Sequence, residues 1–143
     1  MNDGVLDSTV VLALLTPDDG SDWADKLVRE LLDVYVLDIT PYEVYNALIK
    51  KFRLGELSES ELDRAKEMAD SLIYKTFQVR EFKEIKARAF QIARRVNISV
   101  YDAAYLALAE RLRVYFYTLD HKLREKLSGT KYYKITMVPE ESV

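Results

Sequence analysis

The apolar positions of the chain follow two periods, and the period separates predicted helices from predicted strands. Short apolar runs predict four strands, at Val5–Leu6, Val34–Leu37, Val114–Thr118 and Tyr133–Val138. Apolar residues at helical spacing predict helices that begin near Thr9, Ser21, Thr40, Ser58, Phe82 and Ser99, with a short one after Asp120. This alternation predicts an α/β fold whose short, mostly parallel sheet is covered on both faces. The stretch 41–98 shows no strand and is predicted to be a helical insertion.

Local signals predict where several of these helices begin and end. Thr40 and Glu43 form a predicted capping box with Pro41 at the first helical position, and a second box begins at Ser58. Gly55 predicts the end of the helix that begins at Thr40. The helix before the second strand is predicted to bury one face, which carries Trp23, Leu27, Val28, Leu31 and Leu32.

The segment from Ser99 to Ala109 predicts the central helix. A cap-like serine opens it, Asp102 lies in its first turn, and the remainder is almost continuously apolar. A helix that is apolar on nearly all sides must be buried on nearly all sides. Asp102 is therefore predicted to stand at the mouth of the most buried helix, with no basic residue nearby in sequence.

Composition narrows the chemistry that the chain can perform. Its 143 residues suit one domain, 1–143, and its net charge of −3 argues against binding nucleic acid by bulk attraction alone. The absence of cysteine excludes thiol chemistry, and the absence of a glycine-rich loop excludes a phosphate-binding loop. The single histidine, His121, leaves no Ser–His–Asp triad available. No apolar run approaches the ~20 residues of a membrane span, and the start lacks signal-peptide features. A cytoplasmic protein is expected.

Four carboxylates occupy one kind of position. Asp7 and Asp120 each follow a predicted strand, whereas Glu43 and Asp102 each lie in the first turn of a helix. Strand ends and helix starts meet at one edge of an open α/β sheet, so these four side chains are predicted to converge there. Each can also be explained singly as a helix cap or first-turn acid, which leaves both interpretations open.

Convergence of these carboxylates would have an electrostatic consequence. Like charges in a poorly solvated cleft repel each other, and a bound cation relieves that repulsion. Hard oxygen ligands suit Mg²⁺ or Mn²⁺. The interpretation as a site therefore predicts a divalent cation at this edge of the sheet.

Four segments of the chain resemble the PIN domain, and the toxin ribonucleases of VapBC toxin–antitoxin pairs in particular. They are 6–10 (LDSTV), 40–48 (TPYEVYNAL), 97–109 (NISVYDAAYLALA) and 118–120 (TLD). The third segment is the most specific, and the likeness extends over essentially the whole chain. Thr9 stands where such proteins commonly carry Ser or Asn.

The resemblance implies a compact three-layer α/β/α fold and a metal-dependent endoribonuclease that hydrolyses single-stranded RNA. The catalytic, metal-binding quartet of the family would fall on Asp7, Glu43, Asp102 and Asp120. Its supporting hydroxyls would fall on Thr9 and Thr118. The resemblance also implies a homodimer and a small antitoxin whose tail enters the acidic cleft.

Basic and aromatic side chains are candidates for holding RNA. Backbone contacts are predicted at Lys50, Lys51, Arg53, Arg94 and Arg95, although solvated helix faces explain these residues equally well. Tyr42 and Tyr101 flank the predicted site and are the candidates for base stacking among ten tyrosines. The alternative function is a non-catalytic RNA-binding or regulatory module with the same fold and acidic edge.

Overall fold

The computed structural model describes residues 2–140, which form five strands and seven α-helices. The strands are β1 (Asp3–Leu6), β2 (Asp33–Leu37), β3 (Gln78–Arg80), β4 (Tyr115–Tyr117) and β5 (Thr136–Met137). The helices are α1 (Ser8–Leu15), α2 (Ser21–Glu30), α3 (Thr40–Arg53), α4 (Glu59–Ser71), α5 (Phe82–Val96), α6 (Val100–Leu112) and α7 (His121–Lys126). A π-helical turn (Leu72–Thr76) follows α4, and a 3₁₀ turn (Tyr133–Ile135) precedes β5.

All five strands are parallel and lie in the order β3-β2-β1-β4-β5. β1 is central: its Val5 pairs with Tyr35 of β2 on one side and with Phe116 of β4 on the other. The chain builds outward from β1 to β2 and β3, and then places β4 and β5 on the opposite side. Open α/β sheets bind ligands at the carboxyl ends of the strands where the strand order reverses in this way. The reversal here lies between β1 and β4.

Two hydrophobic clusters cover the two faces of the sheet. Val5, Leu37 and Phe116 face α5, α6 and α7, whereas Leu6 and Val36 face α1 to α4. All seven residues from Ala103 to Ala109 in α6 are buried, as the apolar pattern predicts. The predicted three-layer α/β/α fold with a parallel sheet is confirmed. No helix in residues 2–140 is long and apolar enough to span a membrane.

The beginning of β1 depends on a glycine. The strand includes Asp3 and Gly4 and is therefore longer than the predicted pair Val5–Leu6. A Cβ atom on Gly4 would lie 2.6 Å from Cε2 of Tyr117 in the neighbouring strand β4. Glycine thus lets the Tyr117 ring pack directly against the backbone of the central strand.

The prediction that 41–98 is entirely a helical insertion is wrong, because β3 lies within it. β3 has only three residues, pairs with β2 alone, and exposes Gln78 and Val79. An edge strand this short and this exposed shows no alternation of apolar and polar residues, so the sequence pattern carries no signal for it.

Three smaller predictions also need correction. Thr40 is not the N-cap of α3: Ile39 holds that position, and the Thr40 hydroxyl accepts instead from the Leu37 amide at 3.1 Å. Leu32 lies beyond the end of α2 and is 78% exposed, so it does not belong to the buried face. The last strand is only Thr136–Met137, because the residues before it form the 3₁₀ turn.

Other local signals behave as predicted. Ser58 and Glu61 form a reciprocal capping box at the start of α4. Gly55 has a positive φ of 79° directly after the C-cap of α3. Ser99 is the N-cap of α6 and accepts a hydrogen bond from the Asp102 amide at 3.1 Å.

Candidate active site

Asp7 is the most buried of the four predicted carboxylates. It follows β1 directly, is 5% exposed, and is the N-cap of α1. Its Oδ1 accepts hydrogen bonds from the Thr9 amide at 3.0 Å and the Val10 amide at 3.3 Å. The capping interpretation is therefore correct for Asp7, but capping uses only Oδ1 and leaves Oδ2 for other partners.

Two threonine hydroxyls fix the Asp7 carboxylate between β1 and β4. Thr118 Oγ1 donates to Asp7 Oδ2, and Thr9 Oγ1 donates to Asp7 Oδ1, each at 2.5 Å. The same hydroxyl oxygens accept from the loop after β4: Thr9 from the Leu119 amide at 3.0 Å, and Thr118 from the Asp120 amide at 3.1 Å. The loop that carries Asp120 is thereby tied to the carboxylate that follows the central strand.

Burial raises the pKa of Asp7 to about 6 from its ordinary 3.8. The hydrogen bonds from Thr118, Thr9 and Val10 act in the opposite direction, and the negative charge of Asp102 adds to the rise. Among residues 2–140, the donors to Asp7 are uncharged hydroxyl and amide groups, which orient the carboxylate without neutralising it. A carboxyl with a pKa raised by burial and by a second carboxylate is characteristic of functional sites.

Glu43 lies in the first turn of α3, where Tyr105 of α6 holds it. The Tyr105 hydroxyl donates to Glu43 Oε1 at 2.6 Å and lies 2.7 Å from Thr40 Oγ1. Because Thr40 Oγ1 already accepts from the Leu37 amide, its own hydrogen is free to point to Tyr105. A directed series of hydrogen bonds therefore runs from the end of β2 through Thr40 and Tyr105 to Glu43.

Burial also raises the pKa of Glu43, and the charge of Asp102 raises it further, against the lowering effect of the Tyr105 hydrogen bond. Burial and the negative charge of Glu43 raise the pKa of Tyr105, which keeps its phenol protonated as a donor. Glu43 is therefore a carboxylate that is oriented by an uncharged hydroxyl and kept close to another negative charge.

Asp102 and Asp120 complete the acidic group. Burial is the main cause that raises the pKa of Asp102; the charge of Asp120 raises it further, and Lys126 lowers it. Asp120 is exposed and caps the short helix α7, accepting from the Leu123 amide at 3.0 Å. Asp102 therefore interacts electrostatically with the other three carboxylates, since its own charge acts on Asp7 and Glu43.

The four carboxylates lie along the carboxyl-terminal edge of the sheet, after β1 and β4 and in the first turns of α3 and α6, and this region is here called the carboxylate cleft. Within residues 2–140, no three acidic or histidine side chains are close enough together to form a ready-made metal cage. Mg²⁺ keeps several of its waters and is commonly bound by only one or two carboxylates, which such a cleft can provide. The donors are all hard oxygens, and Lys126 offsets their negative charge only in part, at Asp102, so the residues present fit a hydrated divalent cation.

The five predicted RNA-binding residues lie at the C-terminal ends of two helices, and the three on α3 are at the far end of that helix from Glu43. Lys50, Lys51 and Arg53 are in the last turn of α3, and Arg94 and Arg95 are in the last turn of α5. At a rise of 1.5 Å per residue, Arg53 lies about 15 Å along the helix axis from Glu43. The role of these residues in RNA binding stays a prediction.

Sequence reasoning missed four residues that contact or influence the carboxylates. They are Ser8, which is hydrogen-bonded to Glu43, Thr40 in its observed role, Tyr105 and Lys126. Tyr105 is 62 positions from Glu43 and stands inside an apolar run, where an aromatic residue is expected simply as core. Lys126 belongs to a basic group that has no local link to Asp102. A positional signal does exist for Tyr105, since it lies three residues after Asp102 and so on a neighbouring part of the helix surface.

Comparison with known proteins agrees with this architecture. The sheet order and the two helical layers place the molecule in the class of PIN-like α/β/α folds. The family model described as "PIN domain" matches residues 4–126. The chain therefore belongs to the PIN-domain family.

One relative is named as a ribonuclease, and two similar solved structures are titled as a toxin and as a toxin–antitoxin complex. Ribonuclease VapC3 of Pyrobaculum aerophilum is 37% identical over 124 residues, which cover 85% of this chain and 92% of the relative. The solved structure of Mycobacterium tuberculosis VapC20, described as a sarcin–ricin loop cleaving toxin, superposes with a TM-score of 0.67 at 17% identity, covering 90% of this chain and 97% of that one. A toxin–antitoxin complex from Klebsiella pneumoniae superposes with a TM-score of 0.64 at 16% identity, covering 97% and 99%. At these identities the two structures support the fold alone.

Proposed function

We propose that this chain, residues 1–143 acting as one nuclease domain, is a divalent-metal-dependent endoribonuclease that cleaves single-stranded RNA and serves as the toxin of a toxin–antitoxin pair. The observation that carries the proposal is the group of four interacting carboxylates at the strand-order reversal, held there by uncharged hydrogen-bond donors. The 37% identity to a protein named Ribonuclease VapC3 supports the same activity.

The carboxylates would hold one or two Mg²⁺ or Mn²⁺ ions. Asp7, Asp102 and Asp120 would be the ligands, and Glu43 would complete the set or orient water. A bound divalent ion would supply Lewis acidity, which lowers the pKa of water and stabilises negative charge developing on the phosphate oxygens. Thr9 and Thr118 hold Asp7 in one orientation, so that its carboxylate is preorganised for that role.

Glu43 is the residue best placed to handle a proton. Tyr105 donates to its Oε1 and Ser8 is also hydrogen-bonded to the carboxylate, which leaves a lone pair to accept a hydrogen bond from the attacking water. A carboxylate whose pKa is raised is a better general base than an ordinary one, and burial raises the pKa of Glu43. As the water oxygen bonds to phosphorus, its proton passes to Glu43. The phosphorus–oxygen bond to the ribose then breaks, the departing oxygen takes a proton from a solvent water, and Glu43 returns its proton to solvent.

The proposed partners follow from the relatives. Neighbouring structures include a toxin–antitoxin complex, which supports a small antitoxin that inhibits this chain by covering the acidic cleft. We also propose a homodimer, with RNA backbone contacts at the five basic residues named above. Lys→Ala changes there are expected to weaken RNA binding and to reduce its salt dependence.

The decisive experiment is cleavage of a mixed single-stranded RNA pool with Mg²⁺ or Mn²⁺. We expect cleavage that EDTA abolishes, and a loss of at least about 100-fold in Asp102→Asn, which keeps the size of the side chain but removes its charge. Asp63→Asn, on the exposed surface of α4, is the matched control and is expected to cleave like the wild type.

Two results would contradict the mechanism: cleavage that persists in EDTA, or full activity in Asp102→Asn. RNA that is bound but never cut with any divalent ion would instead identify the chain as a non-catalytic RNA-binding module. Addition of the protein encoded beside this chain tests the partner: a true antitoxin suppresses cleavage at a stoichiometric ratio.

A further inference from the structure

An apolar groove of about 510 Å³ opens beside the carboxylate cleft, above the carboxyl ends of β2 and β3. It lies where the first turns of three helices, α3, α5 and α6, come together. Its principal lining residues are Asp38, Ile39, Tyr42, Phe82, Val100 and Tyr101. The Asp38 amide donates to the Arg80 carbonyl at 3.0 Å, and Asp38 Oδ1 accepts from the Phe82 amide at 3.2 Å, so the floor of the groove is well defined.

Two tyrosines on the walls of the groove are strongly exposed. Tyr42 is 73% exposed and Tyr101 is 59% exposed. Neither ring is packed into the hydrophobic clusters that cover the sheet. Flat aromatic faces left open to solvent are the surfaces on which unpaired bases stack, because every base has a π-face and no particular sequence is needed.

The groove is continuous with the proposed active site. Tyr42 directly precedes Glu43, and Tyr101 directly precedes Asp102. β2 is the immediate neighbour of β1, which carries Asp7, and β3 is the next strand. With neighbouring strands about 4.8 Å apart, the groove lies roughly 5 to 10 Å from the end of β1. A nucleotide next to the phosphate in the cleft can therefore reach it.

The charge distribution around the groove also suits a nucleotide. First-turn residues of α3 and α6, helices of 14 and 13 residues, line the groove, and the positive ends of helix dipoles favour phosphate. Within residues 2–140, Asp38 Oδ2 meets no hydrogen-bond donor, so it can accept from the amino group of a base. Aspartate reads the amino group of cytosine in this way elsewhere.

We propose that this groove binds one nucleobase of the RNA substrate, adjacent to the scissile phosphate, stacked on Tyr101 and Tyr42. Asp38 favours bases that carry an exocyclic amino group over uracil. The inference rests on the proposed ribonuclease function and adds to it a determinant of which linkages are cut.

The test combines protein variants with abasic RNA. A single-stranded oligonucleotide is made with one abasic ribose at each position in turn, and its binding is measured by fluorescence anisotropy in EDTA and its cleavage in Mg²⁺ or Mn²⁺. The variants are Tyr42→Ala, Tyr101→Ala and Tyr101→Phe, and Asp38→Asn tests base preference. Tyr74→Ala is the matched control, because Tyr74 is 62% exposed but lies in the π-helical turn, outside the groove.

We expect Tyr101→Ala to weaken RNA binding by about 5- to 150-fold, the range for loss of one base–aromatic stack, and Tyr101→Phe to restore most of it. One abasic position next to the cut should weaken wild-type binding by a similar factor. The same abasic position should have little further effect on Tyr101→Ala, since both changes remove one contact. Asp38→Asn should reduce the preference for amino-bearing bases.

Three results would overturn the inference. The first is that Tyr42→Ala and Tyr101→Ala bind every RNA as tightly as Tyr74→Ala does. The second is that they alter only the sedimentation coefficient, which would assign the groove to contact between two copies. The third is that they alter only inhibition by the antitoxin. Failure of the proposed function is recognised separately, because the wild type would then show no metal-dependent cleavage, while the binding arm in EDTA still decides whether the groove holds a base.

Discussion

Tyr105→Phe isolates the role of a single hydroxyl in positioning Glu43. The substitution keeps the ring, which stacks on Phe116 with centroids 5.9 Å apart, and removes only the oxygen that joins Glu43 to Thr40. Glu43 then loses its donor at 2.6 Å, and the Thr40 hydroxyl, which is fully buried, loses its acceptor. The carboxylate keeps its hydrogen bond with Ser8 but loses the partner that fixes it from the side of α6.

Two magnitudes follow from these contacts. A buried hydroxyl without a partner costs about 1–3 kcal/mol, which sets the expected loss of unfolding free energy in urea. A hydrogen bond to a charged group is worth about 1.5–3 kcal/mol, so we expect kcat to fall by about 10- to 100-fold if Glu43 must be oriented in the transition state. KM should change less, since the substrate does not touch Tyr105.

The pH dependence gives the sign of the effect. The Tyr105 hydrogen bond lowers the pKa of Glu43, against burial and Asp102, which raise it. Removing the donor raises that pKa further, so the rising limb of kcat against pH should move to higher pH. The deficit of the variant is therefore larger at pH 6 than at pH 8.

Tyr132→Phe is the matched control. Tyr132 is 5% exposed, and its hydroxyl donates to Glu110 at 3.3 Å and accepts from Arg88 at 2.8 Å, but it lies away from the carboxylate cleft. It should lose stability without a shift of the pH profile. If Tyr105→Phe loses stability alone, with kcat and its pH limb unchanged, Tyr105 does not position Glu43 and the reasoning fails.

Two further predictions concern charge in the cleft. The pKa of Asp7 is about 6 in the folded protein and 3.8 ordinarily, so the wild type loses stability as pH rises from about 4 to 6. Because asparagine carries no charge, Asp7→Asn avoids this loss and should raise the free energy of unfolding at pH 7 by up to about 3 kcal/mol. Urea titrations should show no gain in stability below pH 4. An equal gain at pH 7 and below pH 4 would show that the charge of Asp7 is not what destabilises the wild type. Lys126→Gln removes a charge that lowers the pKa of Asp102, so the acid limb of cleavage should move to higher pH, and an unmoved limb would show that Lys126 is not coupled to the reaction.

The parts of the fold that were predictable from sequence are those with a local cause. β2 and β4 are apolar runs, α6 is apolar on every side, and Ser58 caps α4 through residues only three positions apart. β3 has no such signal, because an exposed three-residue edge strand is defined by its partner β2 and not by its own pattern. Local periodicity therefore reports the interior of the sheet better than its edge.

The residues of the candidate site also divide into those with a local sequence signal and those without one. The positions of Asp7 and Asp120 after strands, and of Asp102 and Glu43 at helix starts, follow from chain order and sheet geometry. The hydroxyl of Tyr105 could not be predicted, because its pairing with Glu43 depends on how α6 packs against α3. For Thr40 the local sequence and the tertiary structure disagree. The local sequence predicts a helix cap, but the Thr40 hydroxyl instead forms hydrogen bonds with the Leu37 amide and the Tyr105 hydroxyl.

Hydrogen-bonded carboxylates in this chain have pKa values shifted in opposite directions. Glu110 accepts from Arg88 at 2.7 and 3.2 Å, and Lys131 lies 3.1 Å away, which lowers the pKa of Glu110 to about 2. Asp7 and Glu43 receive comparably short hydrogen bonds, but from threonine and tyrosine hydroxyls, and their pKa values rise.

A hydroxyl orients a carboxylate without cancelling its charge, whereas a guanidinium does both. Glu110 is therefore satisfied by the protein itself and joins α6 to α5. The cleft carboxylates are held rigidly but left negative, at a cost to the stability of the isolated chain. We infer that this arrangement is selected for a cation that arrives from solution. If so, Mg²⁺ or Mn²⁺ should raise the free energy of unfolding of the wild type, and should do so much less in Asp7→Asn.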